Sequence, residues 1–452
     1  MDNIKNNRVI WAAIARIILY IIVVITPLVL AAVLRPQSID NFTCELSRNF
    51  ALLAFSILAM QFVVSARFKW LERPFGLDVI FRFHKAMGVF SATLLILHPI
   101  LLAAGKSWYI LLNTTWYILM AEVGLLILLI LVFISIFRLA IRLEYEKWRF
   151  LHNIMASLIL LIGFLHSWNV GSDLRGDLII YRSQIPMRFL WVGMLGVAVL
   201  AYVYHRALRP LWHRRRAYRV IEVMNETHDV WTIKFAPPEG EKCYDYLPGQ
   251  CHFIKLYRGS NLPVEEHPFT ISSSPTDEGF VSSTIKESGD FTATIGQTKP
   301  GDAVSVQGPY GRFSYVCHPD ERELVFIAGG VGITPLMSML RHIRDARADK
   351  DILLLYGNRT EKDIIFRDEL SAMESGEHPR LKVVYILSQA GEDWKGETGY
   401  IDQEKLERLC NGRMANKAFY VCGPPVLMEN VLRALRVLGV QEEYVHYERF
   451  SL

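Results

Sequence analysis

Four histidines have a spacing that could do chemistry. His84 and His98 stand 14 residues apart, as do His152 and His166, and both pairs fall in strongly apolar stretches. On an α-helix, 14 residues rise about 21 Å and end about 40° short of four full turns. Each helix therefore carries two imidazoles on nearly one face, close to opposite edges of a hydrocarbon core about 30 Å thick. If both helices run the same way, His84 meets His152 at one level and His98 meets His166 at the other. Structural zinc needs four ligands around one point, which a separation of about 21 Å forbids. A haem iron takes two axial ligands on opposite faces, and each level offers such a pair. The reading is two stacked haem b groups, with Gly88, Ala156 and Gly163 one turn from the ligands to let a porphyrin approach. The alternative is hydrogen bonding between helices, although ionisable groups inside a membrane are functional by default.

A second set of residues lies in the other half of the chain. His267, Pro268, Phe269, Thr270, Ile271, Ser272 and Ser273 form a strand followed by a serine-rich turn, whose hydroxyls and backbone could bond a flavin ring beside the Phe269 aromatic surface. Gly289, Asp290, Phe291 and Thr292 follow at a possible helix start, where free N–H groups can hold a pyrophosphate. Gly329, Gly330, Val331, Gly332, Ile333, Thr334 and Pro335 follow an apolar run and open a helix. Glycines in that context let backbone approach the phosphates of a dinucleotide, though the third glycine of the Rossmann fingerprint is missing. No Ser–His–Asp or HExxH arrangement is present, and none is needed for cofactor-borne redox chemistry.

The elements that must position these residues divide the chain in two. Its 452 residues are 52% hydrophobic and 21% charged with a net charge of +4, and the mean hydropathy is +0.22. That composition excludes disorder, and so small a charge gives no reason to expect nucleic acid. Residues 1–210 hold 20 basic and 10 acidic residues and the remainder 29 and 35, so a basic apolar half precedes a mildly acidic one. The first half reads as six hydrophobic spans near 9–34, 49–66, 84–104, 116–137, 150–168 and 187–205, each near the length a bilayer requires. Arg67, Lys69, Arg73 and Arg82, then Arg138, Arg142, Lys147 and Arg149, then Arg206, Arg209 and Arg214–Arg216 crowd alternate loops. By the positive-inside rule both termini face the cytoplasm in a multi-pass protein of the cell membrane. Arg175, Arg182 and Arg188 weaken that rule without reversing it. Glu122 is acidic inside span four, where it could serve a proton or bond a neighbouring helix; Arg16 is expected to snorkel inward. Asn41 and Asn113 head glycosylation patterns. Cys44 alone faces outward, so no disulfide is expected there. In the second half, strand-like and turn-rich residues 217–317 predict a small antiparallel barrel. Alternation after Ile327 predicts a parallel sheet flanked by helices. The expected fold class is a six-helix transmembrane bundle over 1–210, an antiparallel β-barrel over 217–317 and an α/β parallel-sheet domain over 320–452.

With Arg73–Asp78 leading to Arg82-Phe83-His84, the repeated histidine spacing resembles the ferric-reductase transmembrane domain of NADPH oxidases and ferric-chelate reductases. The second half resembles ferredoxin-reductase-type flavoproteins. That resemblance implies an FAD ring on residues 267–273, its pyrophosphate at Gly289 and Thr292, and NADPH or NADH on the 329–335 loop. It further implies a ribose-side loop at Tyr356-Gly357-Asn358-Arg359, a turn beside the nicotinamide at Cys422, Gly423 and Pro424, and Phe450 stacked on the flavin. Cys422 and Phe450 are the expected catalytic residues. Arg359 could favour NADPH, with Glu361 and Asp363 close by. Taken whole, the chain is most similar to bacterial NADPH oxidases, which implies O2 reduced to superoxide outside. Leu102 stands where eukaryotic oxidases have a further His, so a ferric chelate is the alternative acceptor, and Arg48 could supply positive charge for superoxide. A different class has a haem-free anchor carrying a reductase for a soluble partner. No feature points to an obligate protein partner beyond the lipid bilayer.

Overall fold

A computed structural model describes residues 2–34, 41–112, 115–170, 181–259 and 261–449. The chain forms two compact units, Met1–Arg209 and Pro210–Leu452.

The first unit is helical: α1 (Asp2–Leu34), α2 (Phe42–Ser65), α3 (Lys69–Phe75), α4 (Leu77–Gly105), α5 (Trp116–Phe137), α6 (Tyr145–Val170) and α7 (Tyr181–Val203). A π-turn at Tyr204–Leu208 leads into α8 (Arg209–Arg215). Among the described residues, six helices are long and apolar enough to cross a membrane. Their outer faces expose large apolar residues such as Ile18, Ile22, Leu126, Phe133 and Leu200, as a lipid-facing surface must. Helix α2 is the central one, with 56% of its apolar window buried. Its small residues Ser47, Ala54, Ser56 and Ala59 are nearly inaccessible, which lets neighbouring backbones close in where lipid gives no hydrophobic drive.

Helix starts lie earlier than the apolar runs predict, and two of them show why. Asn41 caps α2, accepting the Cys44 N–H at 3.0 Å, so the helix begins in polar sequence and takes Cys44 into its first turn, buried. Short α3 has Pro74 in its last turn, and Gly76, at φ +82°, turns the chain sharply into α4. A side chain at Gly76 would also stand 3.0 Å from Asp78, so the Arg73–Asp78 motif is a helix–turn–helix corner.

In the second unit, β1 (Tyr218–Thr227), β2 (Val230–Ala236), β3 (Cys251–Tyr257), β4 (Glu266–Thr270), β5 (Val281–Lys286) and β6 (Ala303–Tyr310) form a sheet in the order β4-β3-β6-β1-β2-β5. An antiparallel bridge from Ile271 to Ser283 joins the two edges and closes the barrel. Then follow β7 (Glu323–Gly329), α9 (Ile333–Asp345), β8 (Asp351–Asn358), α10 (Arg367–Ser375), β9 (Arg380–Leu387), β10 (Glu397–Thr398), α11 (Gln403–Leu409), β11 (Lys417–Cys422), α12 (Pro425–Val437) and β12 (Val445–Glu448). These strands pair in parallel in the order β10-β9-β8-β7-β11-β12. Strand order reverses between β7 and β11, and a doubly wound sheet opens its ligand crevice at that point, beyond the carboxyl ends of the strands. Helix α10 is entered through a special start. A capping box between Thr360 and Asp363 closes a 3-10 turn first, and Phe366 takes a left-handed conformation at φ 59°.

Candidate functional site

The four membrane histidines lie on α4 and α6. The rings of His84 and His152 are 6.1 Å apart between centres. Two imidazoles bound through nitrogen at about 2.0 Å on opposite sides of one metal place their centres roughly 6.3 Å apart. At the other level, Nδ1 of His98 donates to the Ser47 carbonyl at 2.9 Å, and Nδ1 of His166 donates to the Tyr117 carbonyl at 3.0 Å. A ring whose Nδ1 carries the proton keeps a lone pair on Nε2, the form that binds a metal. The Ser47 hydroxyl also donates to the His98 carbonyl at 2.7 Å, which pins α2 to α4 at this level. Nδ1 of His152 stands 3.4 Å from the Ser135 hydroxyl, which accepts from Trp148 Nε1 at 3.2 Å. Nδ1 of His84 is buried without a hydrogen-bond partner among the described residues. Gly88 faces open space. Ring separation, anchored Nδ1 atoms and the open face at Gly88 all suit a flat macrocycle held between two imidazoles.

In the second unit, β4 is the barrel edge that presents His267, Pro268 and Phe269, each partly exposed. His267 packs on Phe291 with ring centres 4.4 Å apart and bonds Glu265 at 2.8 Å. Thr270, Ile271, Ser272 and Ser273 turn inward and are buried. The Thr292 hydroxyl accepts from the N–H groups of Ser288 and Gly289 at 2.8 and 2.9 Å, tying together the turn that opens the 3-10 helix Thr292–Gln297.

The nucleotide crevice rests on a backbone-to-backbone contact. A Cβ on Gly332 would stand 2.4 Å from the Cys422 carbonyl oxygen and 2.7 Å from the Gly423 Cα. One on Gly329 would meet Pro424 at 2.8 Å. These glycines let the loops after β7 and β11 touch. Gly330, at φ +51° with nothing within 4 Å of its missing Cβ, is the one that faces open space. Thr334 bonds the Val331 carbonyl at 3.0 Å, and Pro335 is buried in the first turn of α9. The Tyr356 hydroxyl supports the loop through the Gly330 carbonyl at 3.2 Å. Asn358, at the end of β8, has both amide atoms buried without a hydrogen-bond partner among the described residues. An orphaned amide beside this crevice suits a ligand hydroxyl. Arg359 is exposed. Among the described residues Glu361 pairs with Arg367 and Asp363 caps Thr360, so neither neutralises Arg359.

Residues 50–163 match the family described as ferric reductase like transmembrane component. Residues 217–315 match the oxidoreductase FAD-binding domain, and residues 326–433 the oxidoreductase NAD-binding domain. The chain belongs to the NADPH oxidase and ferric reductase superfamily. This superfamily member is a multi-pass membrane protein and an NAD(P)H-dependent oxidoreductase with FAD- and NAD-binding domains. It is 30% identical over 258 residues to NADH-cytochrome b5 reductase 1 of Mycosarcoma maydis, covering 56% of this chain and 78% of that protein. It is 32% identical over 236 residues to sulfhydrogenase 1 subunit gamma of Pyrococcus furiosus, covering 52% and 77%. Of the solved structures, the cytochrome b5 reductase domain of Ulva prolifera nitrate reductase aligns at 25% identity and a TM-score of 0.47, covering 52% of this chain and 97% of that one.

Other residues that the sequence singles out are placed as follows. Gly163 packs against Phe55, 3.3 Å from where its Cβ would be, and Ala156 joins the cluster around Leu128 and Ile159. Of the two glycines, Gly88 leaves room beside a ligand. Arg48 is paired with Glu45 at 3.0 Å, so its charge is compensated. Glu122 is exposed on α5. Arg16 donates to the Trp70 carbonyl and lies over the Trp70 ring. The Asn41 amide donates to the Gly105 carbonyl at 2.6 Å while its oxygen caps α2, which engages the group a glycan would need; Asn113 lies outside the described residues. The Ser272 and Ser273 hydroxyls bond Ser282, Thr284 and Tyr246. Cys422 is fully buried, its thiol held well above the ordinary range by desolvation and then by Glu448. Its side chain sits in the buried core with Tyr356 and Tyr420, while its carbonyl meets the loop after β7. Phe450 lies outside the described residues; the strand that leads to it, β12, pairs in parallel with β11.

Sequence reading missed the seam between barrel and sheet. Arg341 donates to the Ser272 carbonyl at 2.6 Å and grips Glu369 with both nitrogens, while Ser338 donates to the Ser273 carbonyl at 2.7 Å. The signal was there: two polar residues three apart on the buried face of α9 must have partners.

Proposed function

We propose that this oxidoreductase takes electrons from NAD(P)H on the cytoplasmic side of the cell membrane and delivers them to an acceptor on the far side, O2 giving superoxide. FAD and two b-type haems are its resident carriers. The observation that carries this reading is the pairing of imidazoles on α4 and α6 in a chain that also holds FAD- and NAD-binding domains. His84 with His152 would hold one haem, and His98 with His166 the other. Bound flavin supplies the exchange between a two-electron hydride and single electrons, and bound haem supplies the one-electron relay. For each NAD(P)H oxidised, two O2 are reduced and one proton is released.

The chain's own residues bind and orient. The Ser47 and Tyr117 carbonyls hold the His98 and His166 rings in one tautomer. Phe269 and His267 offer an aromatic edge at β4, with Thr270 at its inner end. The contact of Gly332 with Cys422 and Gly423 sets the width of the crevice in which a nicotinamide would lie. Gly330 and Asn358 line its nucleotide side, and Arg359 stands ready for a 2′-phosphate.

A second reading, reduction of a ferric chelate, is favoured by Leu102 and by the compensation of Arg48 by Glu45. Purified protein given NAD(P)H and cytochrome c decides between them. Superoxide dismutase-sensitive cytochrome reduction is the expected result. NAD(P)H consumption that requires ferric chelate and ignores O2 would overturn the oxidase reading. For the haems, a dithionite-reduced spectrum should show a b-type band that falls by about half in His84→Ala or His152→Ala, since each level holds its own iron. An undiminished band would sink the ligand assignment.

A further inference from the structure

Away from the electron path, the second unit gathers three metal-ligating side chains from two distant stretches. His318 and Glu321 lie between β6 and β7, and His446 lies on β12. One donor atom from each lies within 4.8 Å of the other two. Nε2 of His446 is 2.6 Å from Glu321 Oε1, and Nδ1 of His318 is 3.9 Å from the same oxygen. The two imidazoles lie with centres 4.0 Å apart and planes tilted by 31°. The other carboxylate oxygen accepts the Tyr420 hydroxyl at 2.6 Å. Glu321 and His446 have side chains only 9% and 14% exposed, whereas His318 is 39% exposed and leaves one side open.

An ordinary Glu–His ion pair accounts for part of this, but it needs no second imidazole against the first. Desolvation and then the neighbouring His446 charge push the His318 pKa down, favouring the neutral ring that a metal binds. Tyr420 orients the carboxylate as outer partners orient metal-ligating groups. We propose that His318, Glu321 and His446 form a binding site for a divalent first-row transition ion such as Zn2+, with water completing the tetrahedron on the open His318 side. Bonds of about 2.0–2.2 Å require the donors to sit about 3.3–3.5 Å apart, so His446 Nε2 and Glu321 Oε1, 2.6 Å apart here, separate by about 0.7–0.9 Å while His318 moves inward by a fraction of an ångström. The ion replaces the hydrogen bond between His446 and Glu321. The ion ties β12, the strand leading to the C-terminal aromatic, to the connection between barrel and sheet.

The test uses full-length protein in detergent, dialysed against micromolar Zn2+ and assayed for bound metal. Wild type should retain one more zinc per chain than His318→Ala or His446→Ala. Tyr420→Phe should weaken that zinc about tenfold, as loss of an outer partner does. FAD content and metal-free ferricyanide turnover monitor folding, and His318→Gln serves if an alanine variant loses its flavin. Zinc should also slow hydrogen exchange at the β12 amides in wild type alone. Equal zinc in wild type and variants overturns the site; bound zinc with unchanged β12 exchange overturns the clamp.

Discussion

Replacing Gly332 by alanine tests whether the crevice is set by two loops touching. The new methyl would stand 2.4 Å from the Cys422 oxygen, 2.7 Å from its carbonyl carbon and 2.7 Å from the Gly423 Cα. Carbon contacts are favourable only from about 3.5 Å, so the loops must part by about 1 Å. All three neighbours are backbone atoms, and no rotamer change relieves the clash. Overpacking of this kind costs about 1–3 kcal/mol. At about 2–4 °C per kcal/mol for a unit of this size, Tm falls by roughly 2–12 °C. The functional loss should be larger than the loss of stability, because a misplacement of about 1 Å at the reacting atoms costs about 100-fold. NAD(P)H-dependent ferricyanide reduction, which draws electrons before the membrane half, should lose about 100-fold in kcat/KM while FAD content stays at the wild-type level. Gly279→Ala is the control, since nothing lies within 4 Å of its Cβ. If Gly332→Ala keeps kcat/KM within about twofold of wild type, the crevice is not set by that contact.

Two further outcomes follow from single groups. Arg359→Ala should raise the KM for NADPH about tenfold, the loss of about 1.4 kcal/mol, and leave NADH unchanged; equal response to both coenzymes removes the guanidinium from the 2′-phosphate. His252 is fully buried between Tyr244 and Ser283, and burial lowers its pKa to about 3. The unfolded chain therefore takes up a proton below about pH 6.5 that the folded barrel refuses. This contribution is full above that pH and falls by about 1.4 kcal/mol per unit as the pH drops. Urea unfolding at pH 6.5 and 5 should show about 2 kcal/mol more loss in wild type than in His252→Asn, and equal slopes would refute the assignment.

The sequence determined whatever short-range physics controls. A span in lipid must satisfy its own backbone, so six apolar runs of sufficient length appear as six helices, and hydropathy misses only polar-started ends such as Asn41–Cys44 and the α3–Gly76 corner. Equal histidine spacing on two spans implied two levels because helical rise is constant. Likewise, the glycine-rich turn at 329–335 was legible because it ends one strand and begins one helix. Which surfaces then meet was decided by tertiary structure alone. Gly332 reads in sequence as room for phosphate, yet it is the Cys422 carbonyl that occupies its missing side chain. Ser272 and Ser273 read as a serine-rich turn, and only strand closure set their hydroxyls against Ser282, Thr284 and Tyr246 and their carbonyls against α9. Gly163 faces Phe55, Arg48 meets Glu45, and Glu321 meets a histidine 125 residues away. Periodicity tells which face of an element a residue occupies. It carries no information about what the rest of the chain brings against that face, because such contacts form only when distant segments pack.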